Sequence, residues 1–88
     1  MKACTGFVLR NITGEYLLMP TGDRIAAFHG AVWMNELSAF VWEKLQTSMT
    51  YGELLEQILN VYEIDEITAA ADLDALLADL KSLGVIEE

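Results

Sequence analysis

The sequence predicts an α+β fold: a three-stranded antiparallel sheet followed by three helices, in a small winged-helix-like domain. Three observations support this prediction. Glycines recur every eight residues in the first third, as in a short meander, at Gly6, Gly14, Gly22 and Gly30. From residue 35 onward, apolar residues recur with helical periodicity. The 88 residues suffice for one modest core, so residues 1–88 are predicted to form a single domain.

Two strands are predicted in the stretches "TGFVLRNI" and "EYLLMP", which are rich in β-branched, aromatic and large aliphatic residues. The "NITG" between them is typical of a hairpin loop closed by a glycine that can adopt positive φ. "PTGD" then predicts a turn, and irregular extended chain is expected after it. A third strand is predicted over Ala31–Met34.

The three helices each begin at a residue that favours helix N-termini. These are Asn35, Thr50 (which forms a T-x-x-E capping box with Glu53) and Asp65. The third helix is predicted to run to Leu83 and to stop at Gly84. Its apolar face carries Leu73, Leu76, Leu77, Leu80 and Leu83. The last residues, "VIEE", are expected to trail as a short extended tail.

The charge of the chain argues against several kinds of partner. The net charge is −9, and ten of the fourteen carboxylates lie from Glu53 onward, where Lys81 is the only base. Phosphate backbones are bound by clustered Lys and Arg, so nucleic acid and anionic membranes are disfavoured. A basic peptide, or a basic patch on a larger protein, is favoured. The chain also lacks an apolar run of the roughly 18 residues that a membrane span requires.

The sequence offers little material for catalysis or metal binding. His29 is the only histidine and Cys4 the only cysteine, so neither a zinc-binding spacing nor an intramolecular disulfide is present. This cysteine content fits a cytoplasmic protein. Phosphate-loop motifs are absent as well, and the carboxylates occur where helix surfaces are expected. We therefore predict a binding protein with no catalytic residues, metal or cofactor.

Two stretches, "GFVLRNITGEYLLMPTGD" and "WMNELSAFVWEKLQ", together resemble the PqqD family of small peptide-binding proteins. The same fold is the recognition element of many systems that make modified ribosomal peptides (RiPPs). The resemblance covers Gly6 to Ile86. This chain has Leu37-Ser38 after Asn35-Glu36, where the family often has Thr-Gly.

The resemblance implies a non-enzymatic peptide chaperone. Such a protein captures the leader segment of a precursor peptide and presents it to a modifying enzyme, often a radical-SAM enzyme. It implies that the leader adds as a strand to the edge of the third strand and lies against the third helix. We expect a monomer or weak homodimer.

The candidate peptide-binding residues fall on two elements. The predicted third strand contributes Ala31, Val32, Trp33 and Met34, and the predicted third helix contributes Ala69, Asp72, Leu76, Asp79 and Leu83. A flank of mixed leucine and aspartate suits a peptide that carries lysine or arginine. Alternation along the strand turns either Trp33 or its two neighbours toward the core, and the sequence leaves this choice open.

Two other functions remain as alternatives. A winged-helix fold can serve a DNA-binding regulator, although a recognition helix with Asp72, Asp74 and Asp79 but only Lys81 is unsuited to DNA. The domain could instead be an adaptor subunit of a larger enzyme that binds no free peptide.

Overall fold

The structure, a computed structural model, describes residues 1–28 and 30–88. His29, considered above as a metal ligand, lies outside the described residues. The strands are β1 (Lys2–Ala3), β2 (Phe7–Ile12), β3 (Glu15–Pro20), β4 (Val32–Met34) and β5 (Ile86–Glu87). The helices are α1 (Arg24–Ala27), α2 (Glu36–Lys44), α3 (Tyr51–Val61) and α4 (Glu66–Leu83).

The predicted three-stranded antiparallel sheet is confirmed, with the order β2-β3-β4. Its hairpin closes through Thr13 and Gly14, whose φ angles of 50° and 86° give the left-handed pair of a type I′ turn. The Oδ1 atom of Asn11 accepts a hydrogen bond from the Gly14 N–H at 2.9 Å. This turn places Ile12 opposite Glu15 and so fixes the register of both strands.

One continuous core joins the sheet to helices α2, α3 and α4. Its fully buried members come from both layers and include Leu18 of β3, Val41 of α2, Ile58 of α3 and Leu73 of α4. Trp42 of α2 is buried in the same cluster. The helices cover one face of the sheet, as an α+β fold requires.

The predicted starts of the three helices, and the predicted end of the last one, are confirmed by the capping geometry. The side chain of Asn35 accepts from the Ser38 N–H at 2.8 Å, and that of Asp65 accepts from the Thr68 N–H at 3.0 Å. Both bonds of the Thr50–Glu53 capping box form. Helix α4 ends at Gly84, which adopts the left-handed conformation with φ 75°.

Three features differ from the sequence-based expectations. Helix α1 forms one turn where irregular chain was expected. The C-terminal segment is a strand, β5, which pairs with β1 through Lys2–Glu87 and Ala3–Ile86. Strand β4 begins at Val32, so Ala31 lies just outside it. Among the described residues, the helices are all too short or too polar to cross a membrane.

Candidate functional site

Strand β4 forms one border of the three-stranded sheet. Among the strands that the structure describes, it bonds to β3 alone, through Tyr16–Met34, Leu17–Trp33 and Leu18–Val32. Its other side therefore has backbone groups available for hydrogen bonding. Which residue supplies them follows from the alternation of bonded and non-bonded pairs in an antiparallel ladder.

The β2–β3 hairpin fixes the phase of this alternation. The Thr21 N–H donates to the carbonyl oxygen of Gly6 at 2.8 Å, so that pair is bonded and the next pair, Phe7–Pro20, is not. Pro20 has no N–H, which suits this position. Counting along the hairpin, residues 15, 17 and 19 of β3 bond to β2, and residues 16 and 18 bond to β4.

Trp33 therefore directs its N–H and C=O away from β3, toward the open side of the sheet. Its neighbours Val32 and Met34 use theirs to bond β3. The side chains alternate in the same way: Met34 is buried, Val32 is half-buried, and Trp33 is 60% exposed opposite Leu17. Of the two orientations that the sequence allows, the structure has the one in which Trp33 faces away from the core.

A groove of about 370 Å³ runs between β4 and the C-terminal half of α4. Strand β4 and the start of α2 line one wall with Val32, Trp33, Met34, Asn35 and Ser38, and α4 lines the other with Leu76, Asp79, Leu80, Ser82 and Leu83. We call this the β4–α4 groove. Leu76 and Leu80 are almost buried, whereas Leu83 exposes 40% of its surface. The groove thus has an apolar floor and a partly exposed apolar rim.

Six of the nine candidate residues line this groove: Val32, Trp33, Met34, Leu76, Asp79 and Leu83. Ala31 is exposed beside the strand, and Asp72 is exposed farther along α4, but neither is among the lining residues. Ala69 has no exposed surface and lies in the core, so its assignment to the groove flank is wrong. At about 100° per residue, Ala69 lies within about 40° of Leu73 and Leu80 around the helix axis, and therefore points inward.

Three polar residues of the groove were missed by sequence reasoning: Asn35, Ser38 and Ser82. From the sequence, Asn35 was predicted only to cap α2. Because Asn35 directly follows β4, its position in the sequence was also a signal for the groove. Ser82 adjoins Leu83 on α4, but a lone serine on a helix carries no sequence signal. Their side chains add hydrogen-bonding groups to an otherwise largely apolar groove.

Negative charge is concentrated in the helical part of the chain. Residues 1–34 contain three basic and two acidic side chains, whereas residues 35–88 contain two basic and twelve acidic ones. Lys81 pairs with Glu88 at 2.6 Å, the sole ion pair among the residues described. The carboxylate of Asp79 in the groove is accordingly not matched by a cation of the described chain.

The described residues contain no group of three or more His, Cys, Asp or Glu side chains that could hold a metal ion. The site itself consists of an open strand edge, apolar side chains, three polar side chains and the carboxylate of Asp79. Such an arrangement is suited to binding an extended chain.

Comparison with protein families decides the classification. The sequence model for coenzyme PQQ synthesis protein D (PqqD) matches residues 9–86. The chain belongs to the PqqD family. The resemblance seen in the sequence is thereby confirmed, and the match includes β4, α4 and every residue of the β4–α4 groove.

Two solved structures share the fold of this PqqD family member. "TbiB1 in Complex with the TbiA(beta) Leader Peptide" superposes with a TM-score of 0.75 at 21% identity, covering 99% of this chain and 95% of that one. "Lasso peptide synthetase B1 complexed with the leader peptide" has a TM-score of 0.73 at 16% identity, covering 99% and 96%. No curated protein matches the chain. At these identities the structural comparison establishes the fold.

Proposed function

We propose that this protein is a peptide-binding recognition domain that captures the leader segment of a ribosomally made precursor peptide. The leader adds as a fourth strand beside β4, and the domain presents the peptide to a modifying enzyme. Membership of the PqqD family supports this proposal, as does the fold shared with two proteins that were solved in complex with leader peptides.

The observation that carries the proposal is the open side of β4 beside the β4–α4 groove. Strand addition requires free backbone donors and acceptors at a sheet edge, together with pockets for alternate side chains. The N–H and C=O of Trp33 supply the first requirement, and the groove supplies the second.

The side chains of a strand bound beside β4 alternate between two sides of the sheet. A peptide residue directly opposite Trp33 places its side chain on the same face of the sheet as the indole. The residues before and after it point the other way, into the β4–α4 groove toward Leu76, Asp79 and Leu83. The leader is therefore expected to alternate, with apolar side chains at the groove positions and a lysine or arginine near Asp79.

The domain acts without catalytic residues or a cofactor, and the chemistry belongs to its partner enzyme. The family resemblance makes a radical-SAM enzyme the expected partner. The domain acts in the cytoplasm as a monomer or weak homodimer, and its apolar edge is covered when the peptide binds.

A backbone N-methyl scan of the leader tests strand addition directly. The probe is a synthetic leader peptide that binds this protein, with one N-methyl group introduced at a time. Methylation removes a backbone donor and adds a bulky group at the strand edge. At the residue that pairs with Trp33, it should therefore weaken binding on the order of tenfold or more. Methylation of the residues on either side should have much less effect, because their N–H groups point away from β4.

Isothermal titration calorimetry of each methylated peptide gives the affinities. The expected result is a loss of affinity that alternates with a period of two over about three to five residues of the peptide. Uniform small losses, or a period near 3.6, would show that the leader does not bind as a strand at this edge.

A further inference from the structure

A second concave surface begins where β4 ends. A cavity of about 640 Å³ is lined by Gly14–Tyr16 of the hairpin and by Trp33–Glu36. It shares Trp33, Met34 and Asn35 with the β4–α4 groove. A strand bound beside β4 that continues past Met34 therefore enters this cavity without leaving the protein surface.

The cavity leads into an aromatic groove between β3, α2 and the end of α3. This groove, of about 270 Å³, is lined by Tyr16, Glu36, Ala39, Phe40, Glu43, Val61 and Tyr62. Tyr16 and Glu36 belong to both cavities. The rings of Phe40 and Tyr62 meet edge to face, with centroids 5.5 Å apart at 85°, and Val61 exposes 59% of its surface. We call these seven residues the aromatic groove.

The aromatic groove is suited to a cation for two independent reasons. The Nζ atom of Lys44 already lies 5.3 Å from the centroid of the Phe40 ring, so a ring of this groove is in contact with an ammonium group in the structure. The carboxylates of Glu36 and Glu43 stand among the lining residues. Glu36 and Tyr62 line the same groove, and burial, followed by the negative charge of Glu36, raises the pKa of Tyr62.

We propose that the aromatic groove is a second subsite that binds a lysine or arginine side chain of the precursor peptide. This side chain lies in the flank of the peptide that extends past Met34, outside the segment that forms the fourth strand. The proposal rests on the proposed function and adds to it: recognition is bipartite, with backbone pairing at β4 and a cation held between aromatic rings and carboxylates.

The strand edge and the cation subsite contribute differently to peptide recognition. Backbone hydrogen bonds at β4 accept almost any sequence, so they provide affinity with little selectivity. A cation subsite at a set distance along the peptide fixes the register, because a shift by one residue moves the cation out of the groove and reverses the faces of the strand. The aromatic groove thus selects one alignment of the leader among several that the open edge permits.

A display selection with random peptides tests the proposal, and it does not require the natural precursor. Random peptides, displayed on their messenger RNA, are selected on the 88-residue protein and again on its Trp33→Ala variant. The expected result is a set of peptides that depends on Trp33 and carries two features. These are an alternating apolar stretch and a lysine or arginine at one constant offset from it.

A double-mutant cycle then tests the contact with one selected peptide. The two substitutions of the cycle are Glu36→Gln in the protein and replacement of the basic residue by glutamine in the peptide. Each change alone should weaken binding about threefold to fivefold, the range of an exposed ion pair, and the second change should add little once the first is made. Glu56→Gln is the matched control, because Glu56 is an exposed carboxylate of α3 that lines neither groove. It should leave affinity within about twofold of the original.

The outcomes separate the two proposals. Selection of Trp33-dependent peptides without a basic residue at a constant offset, or additive effects in the cycle, would overturn the cation subsite and leave strand addition intact. Equal losses of affinity for Glu36→Gln and Glu56→Gln would also overturn the cation subsite, because the change in net charge alone would then explain the effect. If peptides bind as well to the Trp33→Ala variant as to the original, the proposed function itself is contradicted.

Discussion

Trp33 combines two roles at one position of β4. Its backbone provides the open hydrogen-bonding groups of the edge, and its indole covers the sheet face beside them. An exposed tryptophan contributes little to folding, because its apolar surface remains in water. In an interface the same side chain is of the type most often found among hot spots.

We therefore predict that Trp33→Ala weakens leader binding by roughly thirtyfold, which corresponds to about 2 kcal/mol, the loss expected for an interface tryptophan. The free energy of unfolding should change by less than about 1 kcal/mol, because the indole is largely exposed. Calorimetric titration measures the first quantity, and chemical denaturation measures the second.

Ile67→Ala is the matched control for this substitution. Ile67 is 84% exposed and lies near the start of α4, away from both grooves, so its removal should affect neither quantity. A destabilisation of Trp33→Ala by roughly 3–5 kcal/mol, the range expected of a core aromatic, would mean that the indole packs inside. If the folded Trp33→Ala variant binds the leader with unchanged affinity, the peptide binds at another surface.

The orientation of Trp33 shows where sequence reasoning reaches its limit at this scale. Alternation predicts two opposite faces but does not say which one is buried. That choice depends on the register of β4 against β3, and therefore on pairing between residues some sixteen positions apart. The burial of Ala69, in contrast, could have been predicted from the sequence. Its angle around the helix axis is close to those of Leu73 and Leu80, which places it on the side that faces the core.

At the scale of elements, two carboxylates hold the N-terminal ends of α3 and α4. The Thr50 N–H donates to Glu53 and lowers its pKa, and the Thr68 N–H donates to Asp65 with the same effect. The usual pKa values are 4.5 for the Glu53 carboxyl and 3.8 for that of Asp65. The folded protein thus binds fewer protons at these sites than the unfolded chain does.

This arrangement sets the sign of the pH dependence. The contribution of both caps is complete above the usual pKa values and is lost as pH falls through the lower, folded ones. We predict that the melting temperature falls between about pH 5 and about pH 3, and that the fall is smaller in the double variant Glu53→Gln, Asp65→Asn. Asparagine still accepts the Thr68 N–H but does not titrate in this range.

Thermal melts followed by circular dichroism across this pH range give the comparison. Glu56→Gln with Asp72→Asn is the control pair, because it removes the same number of exposed carboxylates from α3 and α4 without touching a cap. An equal flattening of the pH profile in both pairs would assign the effect to net charge instead of capping.

The elements that the sequence predicted have strong local signals, and those it missed do not. The hairpin turn, the three helix caps and the stop at Gly84 are each specified within four or five residues. Helix α1 has only four residues, too few for apolar periodicity to appear. Strands β1 and β5 have two residues each, and their pairing joins positions at opposite ends of the chain.

For the molecule as a whole, the segregation of charge determines which partners can approach. The helical residues 35–88 carry ten more acidic than basic side chains, while residues 1–34 carry one more basic than acidic. We predict no detectable binding to duplex DNA at physiological salt, because the helix that a winged-helix protein would insert is acidic. Electrophoretic mobility shift with random-sequence duplexes measures this directly.

A basic leader should behave in the opposite way. Its association rate should fall as salt increases from about 0.01 M to about 0.15 M, because the Debye length decreases from about 30 Å to about 8 Å.

For duplex DNA, a salt-sensitive micromolar complex would contradict the peptide-only function and favour a DNA-binding regulator instead.

The pairing of β1 with β5 has a consequence for how the domain can be connected to other chains. Lys2 and Glu87 lie opposite each other, so both ends of the domain emerge at one place, four residues along the chain from Leu83 at the rim of the β4–α4 groove. A flexible tether at either end therefore holds its cargo close to the binding edge. A leader fused in this way would compete at an effective concentration in the millimolar range, largely independent of protein dilution.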